Sequence, residues 1–239
     1  MTERLDKAML SRGIVKTRSQ ARMLIDQGDV RVNGRQVLKP GFATKQEDQI
    51  EIADRTLYVG RGAYKLEKAI EVFGLDFTGL VVADIGASTG GFTEVSLKNG
   101  ASKVYAIDVG HDQLAQILKD DERVINLEGV NAKYPIEIDE EVDAVVMDLS
   151  FISLRSVLKN AFNLLRTQGA AVVLIKPQFE AGPERVGKNG IVKESIGKTV
   201  LNETLDWIRK ENIVIENVID SPITGKTGNR EYLALLRKA

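Results

Sequence analysis

Apolar runs of five or six residues alternate with amphipathic stretches along residues 62–239, which is the signature of an α/β fold. Strands are expected at 80–84, 103–107, 123–127, 142–147, 170–175, 213–219 and 232–236. Helices fall between them at 90–99, 112–118, 153–165 and 195–211. A leading helix runs from Gly62 to Phe73 with Leu66, Ala69, Ile70 and Phe73 inward. Helices on both faces of a mostly parallel sheet would bury a full core. Only about a dozen residues, including Pro222, Gly225 and Gly228, separate the last two strands. That is too few for a crossover helix, so these two strands are expected to be antiparallel neighbours in a seven-stranded mixed sheet.

The first 53 residues carry a different pattern. Residues 3–11 and 17–27 read as two short helices, the second with Ala21, Leu24 and Ile25 on its apolar face and Gly28 as C-cap. Val30-Arg-Val32 alternates as a strand, Asn33-Gly34 signals a hairpin, Pro40-Gly41 breaks the return strand, and Ile50-Glu-Ile52 closes the unit. The expected organisation is a small α+β domain over 1–53, a linker over 54–61 and the larger domain over 62–239. Residues 1–61 carry 12 Lys and Arg against 8 Asp and Glu, a net of +4, whereas the remainder nets −5. Arg4 lies on the first helix. Arg12, Lys16, Arg18 and Arg22 gather on the helices and their connecting turn, and Arg31 and Arg35 lie on the hairpin. Such a cluster suits phosphate contacts, and a solvated basic surface is the alternative reading. Arg4-Leu-Asp, Ser11-Arg-Gly, Thr17-Arg-Ser-Gln-Ala-Arg22 and Val32-Asn-Gly34 resemble the S4-like RNA-binding domain of a ribosomal small-subunit protein, pseudouridine synthases and tyrosyl-tRNA synthetases.

Composition removes several chemistries. The 239 residues contain no Cys and one His, His111, so thiolate catalysis, disulfides and a Cys- or His-rich metal centre are excluded. No signal peptide opens the chain and no apolar run reaches membrane-spanning length, which makes a cytoplasmic location the expectation.

The central feature is Val81-Val-Ala-Asp-Ile-Gly-Ala-Ser-Thr-Gly-Gly-Phe92, an apolar strand that ends in Asp84 and a glycine-rich turn into a helix. The turn residues Gly86, Ala87, Ser88, Thr89, Gly90, Gly91 and Phe92 would line a bound cofactor. The spacing is compatible with NAD, FAD or S-adenosylmethionine, and the dinucleotide pattern G-x-G-x-x-G is absent. Ligands of open α/β sheets lie at the carboxyl ends of strands. Those exits carry Asp84, Asp108, the loop with Asn131, Asp148 and Lys176, with Glu231 at the start of the last strand. Asp108 is positioned for the two hydroxyls of an adenosine ribose and Asn131 for the adenine edge, or for solvent. Lys176 ends a buried strand, a costly place for an amine without a partner, and Asp148 on the neighbouring strand is the natural one. A structural ion pair is the bland alternative. Lys65 taken alone reads as a solvated helix lysine.

Gly60-Arg-Gly-Ala-Tyr-Lys-Leu66, Asp84-Ile-Gly-Ala-Ser-Thr-Gly-Gly-Phe-Thr93, Asp148-Leu-Ser-Phe-Ile-Ser153, Lys176-Pro-Gln-Phe-Glu180 and Gly228-Asn-Arg-Glu231 together resemble the TlyA family across nearly the whole chain. The resemblance implies a Rossmann-like class I methyltransferase domain similar to FtsJ. It also implies S-adenosylmethionine as cofactor, with Asp148 among the residues that hold it, and methylation of ribose 2'-hydroxyls of cytidines in ribosomal RNA. A catalytic tetrad of Lys65, Asp148, Lys176 and Glu231 follows from the matching motifs, with Lys176 expected to accept or orient the hydroxyl proton. No metal is expected, because a sulfonium leaving group needs no Lewis acid. The sequence departs from relatives at Gly60, and at Asn189 and Lys193-Glu194 in the loop after Lys176, which bears on loop movement and substrate fit and leaves the tetrad intact. The glycines of that loop, residues 180–190, permit closure, with Arg185 or Lys188 available to phosphate. Competing readings are an RNA-binding module with an inactive methyltransferase-like domain, a hemolysin-like membrane-active protein, and a nicotinamide oxidoreductase that would leave Lys65 and Glu231 without a shared purpose.

Overall fold

The structure, a computed structural model, describes residues 2–15, 17–52, 58–225 and 227–238; the side chains of residues 23 and 27 are also outside the description. Lys16 and residues 54–57 of the expected linker lie outside the described residues. The chain divides into two compact units, Met1–Arg61 and Gly62–Ala239.

In the first unit, β1 (Thr2–Arg4) pairs antiparallel with β4 (Ala43–Lys45), and α1 (Leu5–Ser11) follows it directly. The expected helix over 3–11 therefore starts two residues later. Glu3 and Arg4 are used as strand, and the Leu5 and Asp6 N–H groups donate to Phe42 and Pro40 carbonyls rather than to helix. The second helix, α2 (Arg18–Gln27), is capped by the Thr17 side chain accepting from the Gln20 N–H, and it ends on Gly28 in the left-handed conformation. Three further strands, β2 (Val30–Val32), β3 (Arg35–Gln36) and β5 (Ile50–Ile52), form an antiparallel sheet. Asn33 and Gly34 both have positive φ, 51° and 76°, as a two-residue hairpin turn requires. Leu5, Met9, Leu24, Ile25 and Val30 fill the small core.

The second unit opens with α3 (Ala63–Phe73) and continues through β6 (Val81–Ile85), α4 (Gly91–Lys98), β7 (Lys103–Asp108), α5 (Gln116–Lys119) and β8 (Val124–Glu128). It then runs through β9 (Val142–Met147), α6 (Leu158–Leu164), β10 (Leu165–Ile175), α7 (Pro177–Glu180), α8 (Glu194–Lys210), β11 (Val214–Asp220) and β12 (Tyr232–Arg237). The sheet order is β11-β12-β10-β9-β6-β7-β8. Strand β12 is antiparallel to both of its neighbours, and the other pairs are parallel. This is the expected seven-stranded mixed sheet, with the return strand inserted between β10 and β11.

Two helices are shorter than the periodicity predicts. Asp112 takes φ 53° and donates its N–H to Glu128, so the chain turns helical only at Gln116. Residues 153–165 divide into a 3-10 turn, Leu154–Ser156, and α6, after which β10 begins at Leu165. The start of β10 is irregular: its register against β9 shifts between Leu165 and Ala170, and Gln168 sits at φ 63°. Because β12 runs opposite to the parallel strands, its first residues lie at the end of the sheet where β6, β7, β9 and β10 finish. Glu231 is thereby brought beside Asp148 and Lys176.

Candidate active site

Four charged side chains meet at the carboxyl end of the sheet. Lys65 Nζ lies 2.8 Å from Glu231 Oε2 and 3.0 Å from Asp148 Oδ2, and the other Asp148 oxygen lies 2.6 Å from Lys176 Nζ. The result is a line of alternating charge, Glu231–Lys65–Asp148–Lys176. Lys65, Lys176 and Glu231 are each under a tenth exposed. Burial resists charging Lys65, but the carboxylates of Asp148 and Glu231 outweigh it and raise its pKa. Burial likewise favours neutral Asp148, and the two ammonium groups overcome that and lower its pKa.

The reading of Lys65 as a solvated lysine is corrected here. The helix turns Lys65 inward with Leu66 and Ala69, where two carboxylates take its charge. A single amphipathic helix cannot reveal that, because both partners come from distant strands.

The glycine-rich turn packs against the same place. Gly86, at φ 88°, has no room for a Cβ, which would meet the Asp148 carbonyl at 2.7 Å. Gly86 and Ala87 donate their N–H groups to the Ile107 carbonyl, and Gly90 donates to Ala87. Ser88 takes φ 49° and donates its N–H to Asp108 Oδ2, while Gly110 N–H donates to the other Asp108 oxygen. Each Asp108 oxygen keeps lone-pair capacity beyond these single bonds. Thr89 is exposed at the tip, and Gly91 and Phe92 start α4 in buried positions. Asp84 is fully buried; its Oδ2 accepts from the Thr93 hydroxyl at 2.6 Å, and its Oδ1 has no partner. Burial, only partly offset by Thr93, pushes its pKa up to about 7. Asn131 follows Val130, whose N–H donates to the Asp108 carbonyl; it is exposed, and its side chain accepts from the Lys133 N–H to close a local turn.

The residues fit a cofactor with an adenosine ribose. An orphaned, buried carboxylate oxygen marks one end of the turn, and a carboxylate with spare acceptor capacity marks the other.

Three residues that sequence reasoning passed over complete the site. Ser150 Oγ accepts from Lys176 Nζ at 2.8 Å. Gln178 donates to Glu231 Oε1 at 3.3 Å and leaves its own oxygen buried without a partner. Phe151, at φ 65° and 91% exposed, packs against Phe179 with 5.3 Å between ring centroids, and both rings line a cleft of about 480 Å³. The only available signal for Phe151 was an aromatic residue in a polar strand exit. In the following loop, Arg185 is bound to Glu203 and the Ala181 carbonyl.

In the basic unit, Asp6 is completely buried and receives Arg4, Arg18 and Arg22 at 2.7–3.3 Å. Arg12 is turned to the carbonyls of Lys45 and Asp48, and Arg31 and Arg35 are exposed on the hairpin. The structure thus gathers three of the expected arginines around one carboxylate and separates Arg12 from them.

Residues 58–238 match the FtsJ-like methyltransferase family, and residues 3–50 match the S4 domain. The chain belongs to the FtsJ-like methyltransferase family. This FtsJ-like chain is 40% identical over 245 residues to the 16S/23S rRNA (cytidine-2'-O)-methyltransferase TlyA of Mycobacterium tuberculosis, covering 98% of this chain and 89% of the relative. It is 42% identical to Hemolysin A of Brachyspira hyodysenteriae, covering 97% and 98%. A solved Streptococcus thermophilus protein, provisionally described as a hemolysin, superposes with a TM-score of 0.78 at 40% identity, covering all of this FtsJ-like chain and 89% of that one. No helix among the described residues is long and apolar enough to cross a membrane.

Proposed function

We propose that this protein is a ribosomal RNA 2'-O-methyltransferase that uses S-adenosylmethionine and acts on cytidine ribose, with residues 1–53 supplying RNA affinity and residues 62–239 the chemistry. The observation that carries the reading is the line Glu231–Lys65–Asp148–Lys176 beside the glycine-rich turn. A structural ion pair needs two members, whereas here two lysines and two carboxylates converge from four elements at the cofactor end of the sheet. Family membership and the names of the relatives support the reaction type and the cytidine.

When bound, S-adenosylmethionine supplies an electrophilic methyl group on a leaving group that departs neutral. The protein must therefore hold the ribose oxygen in line and take its proton. Lys65 is saturated by two carboxylates and acts as a fixed cation. Among the described residues Lys176 has one carboxylate, a serine and the Phe179 ring 5.8 Å away, which leaves it, in its neutral form, the amine able to receive the 2'-hydroxyl proton. Asp148 holds Lys176 in place and balances the charge that develops on it; Glu231 and Gln178 hold Lys65. Asp84, the turn from Gly86 to Phe92, Asp108 and Asn131 form the cofactor side in this assignment. Phe151 and Phe179, in contact on the wall of the cleft, offer an aromatic surface to an unstacked base next to the reacting ribose. In this assignment the RNA contacts of the small unit come from Arg4, Arg18 and Arg22, held by Asp6, and from Arg12, Lys16, Arg31 and Arg35.

The test is transfer of labelled methyl from S-adenosylmethionine to purified ribosomal subunits, with mapping of the modified ribose. Lys176→Ala is expected to bind cofactor and RNA as the parent does and to lose at least about a hundredfold in rate. Methylation by that variant at the parental rate would refute the assignment.

A further inference from the structure

We infer that Ser150 is a positioning residue that aims the Lys176 amine at the ribose hydroxyl; the inference rests on Lys176 being the proton-handling group. A tetrahedral amine nitrogen has one direction taken by its own carbon and three left. Asp148 Oδ1, at 2.6 Å, and Ser150 Oγ, at 2.8 Å, occupy two of them as acceptors. As an ammonium, Lys176 has one N–H remaining for a third partner. A neutral amine has two N–H groups; with Asp148 accepting one and Ser150 Oγ accepting the other, the lone pair takes the third direction. The proton enters and leaves along that one line. With Ser150 removed, a single acceptor fixes the amine, and rotation about the terminal carbon–nitrogen bond exchanges the lone pair with an N–H.

The loop that carries Ser150 is built to hold it still. Asp148 N–H donates to the Ile85 carbonyl at the loop's start. At its end, Glu180 accepts from the Ser153 hydroxyl at 2.6 Å and from the Leu154 N–H at 2.7 Å. Between these anchors, Phe151 is kept at φ 65°, a left-handed conformation that a bulky side chain adopts only when its surroundings dictate it. A strained residue directly after Ser150 fixes the direction in which the serine leaves the strand. The charged groups around Lys176 are Asp148 from the exit of β9, Lys65 from α3 and Glu231 from the start of β12, and each is committed to another member of the line. Ser150 is the neutral partner.

The experiment uses the full-length protein, S-adenosylmethionine with labelled methyl, and purified ribosomal subunits. Ser150→Ala is expected to lower kcat about tenfold, the scale of one positioning hydrogen bond. KM for RNA and for cofactor should stay within about twofold, and the melting temperature should not move. Ser150→Thr, which restores a hydroxyl, should recover kcat to within about threefold. In a Lys176→Ala background the Ser150→Ala change should cost nothing more, because the residue acts through Lys176. Parental kcat in Ser150→Ala, a loss carried by KM, failure of Ser150→Thr to rescue, or a full further loss in the Lys176→Ala background would each overturn the proposal. The two readings fail separately. Lys176→Ala at parental rate removes both, whereas an inactive Lys176→Ala beside a fully active Ser150→Ala removes only the role of Ser150.

Discussion

Asp84→Asn should make the methyltransferase unit less sensitive to pH, by an amount that the structure sets. Burial raises the Asp84 pKa from the ordinary 3.8 to about 7. Between those values the folded state binds more proton than the unfolded state, so stability falls as pH rises through the window. Three pKa units correspond to about 4 kcal/mol of penalty once both states are ionised. Between about pH 5 and about pH 8 the change is about 3 kcal/mol, since part of the penalty already applies at the lower pH. Asparagine cannot ionise, and its oxygen can still accept from the Thr93 hydroxyl. Its amide placed at the orphaned Oδ1 position costs about 1–3 kcal/mol, but equally at both pH values. The variant's stability relative to the parent should therefore improve by about 3 kcal/mol from the lower to the higher pH. Urea unfolding followed by fluorescence measures this directly, because Trp207, the sole tryptophan, lies on α8 of this unit. Cofactor affinity, read by equilibrium dialysis, should fall in the same variant. A relative stability that stays within about 1 kcal/mol across the two pH values would refute the buried-carboxylate reasoning.

Two further outcomes are expected. Asp6→Asn raises the net charge of the small unit by one, so bulk electrostatics predicts tighter RNA binding. The structure predicts the opposite, about tenfold weaker binding at fixed salt, because Arg4, Arg18 and Arg22 lose the carboxylate that aligns them. The hydrogen bond to Arg4, with those to Arg18 and Arg22, holds the Asp6 pKa well below the usual carboxylate range. Its contribution is thus present above about pH 4 and is lost only as pH falls through the depressed value. Filter binding to ribosomal RNA checks this, and binding tighter than the parent's would remove Asp6 as an organiser. Phe151→Ala removes one face of the aromatic cleft and should raise KM for RNA about tenfold with a smaller change in kcat, within the usual range for one base stacked on an aromatic ring. An unchanged KM would show that the cleft holds no base.

The sequence by itself determined the two-part organisation, the seven strands and the antiparallel return of the last one. Each of these depends on local signals: a period of hydrophobic residues, a hairpin dipeptide, a connection too short for a helix. It also placed Asp84, Asp108, Asp148 and Lys176 at strand exits, because the end of an apolar run is visible in one dimension. Shorter features were lost where a single backbone angle overrode periodicity, as at Asp112 and Gln168. Lys65 was identified only through motifs shared with relatives, since its surroundings in the chain carry no chemical signal; Glu231 was visible at the start of the last strand and took its role from those motifs. Only the tertiary structure decided that Lys65 is buried between two carboxylates, that Ser150 completes the shell of Lys176, that Phe151 faces Phe179, and that Asp6 gathers three arginines. These contacts join residues as far apart as 65 and 231. Hydrophobic period dictates which face of an element is buried, but the partner that meets a buried charge is set by sheet order and by strand direction. Here the antiparallel insertion of β12 delivers Glu231 to the ends of strands that run the other way.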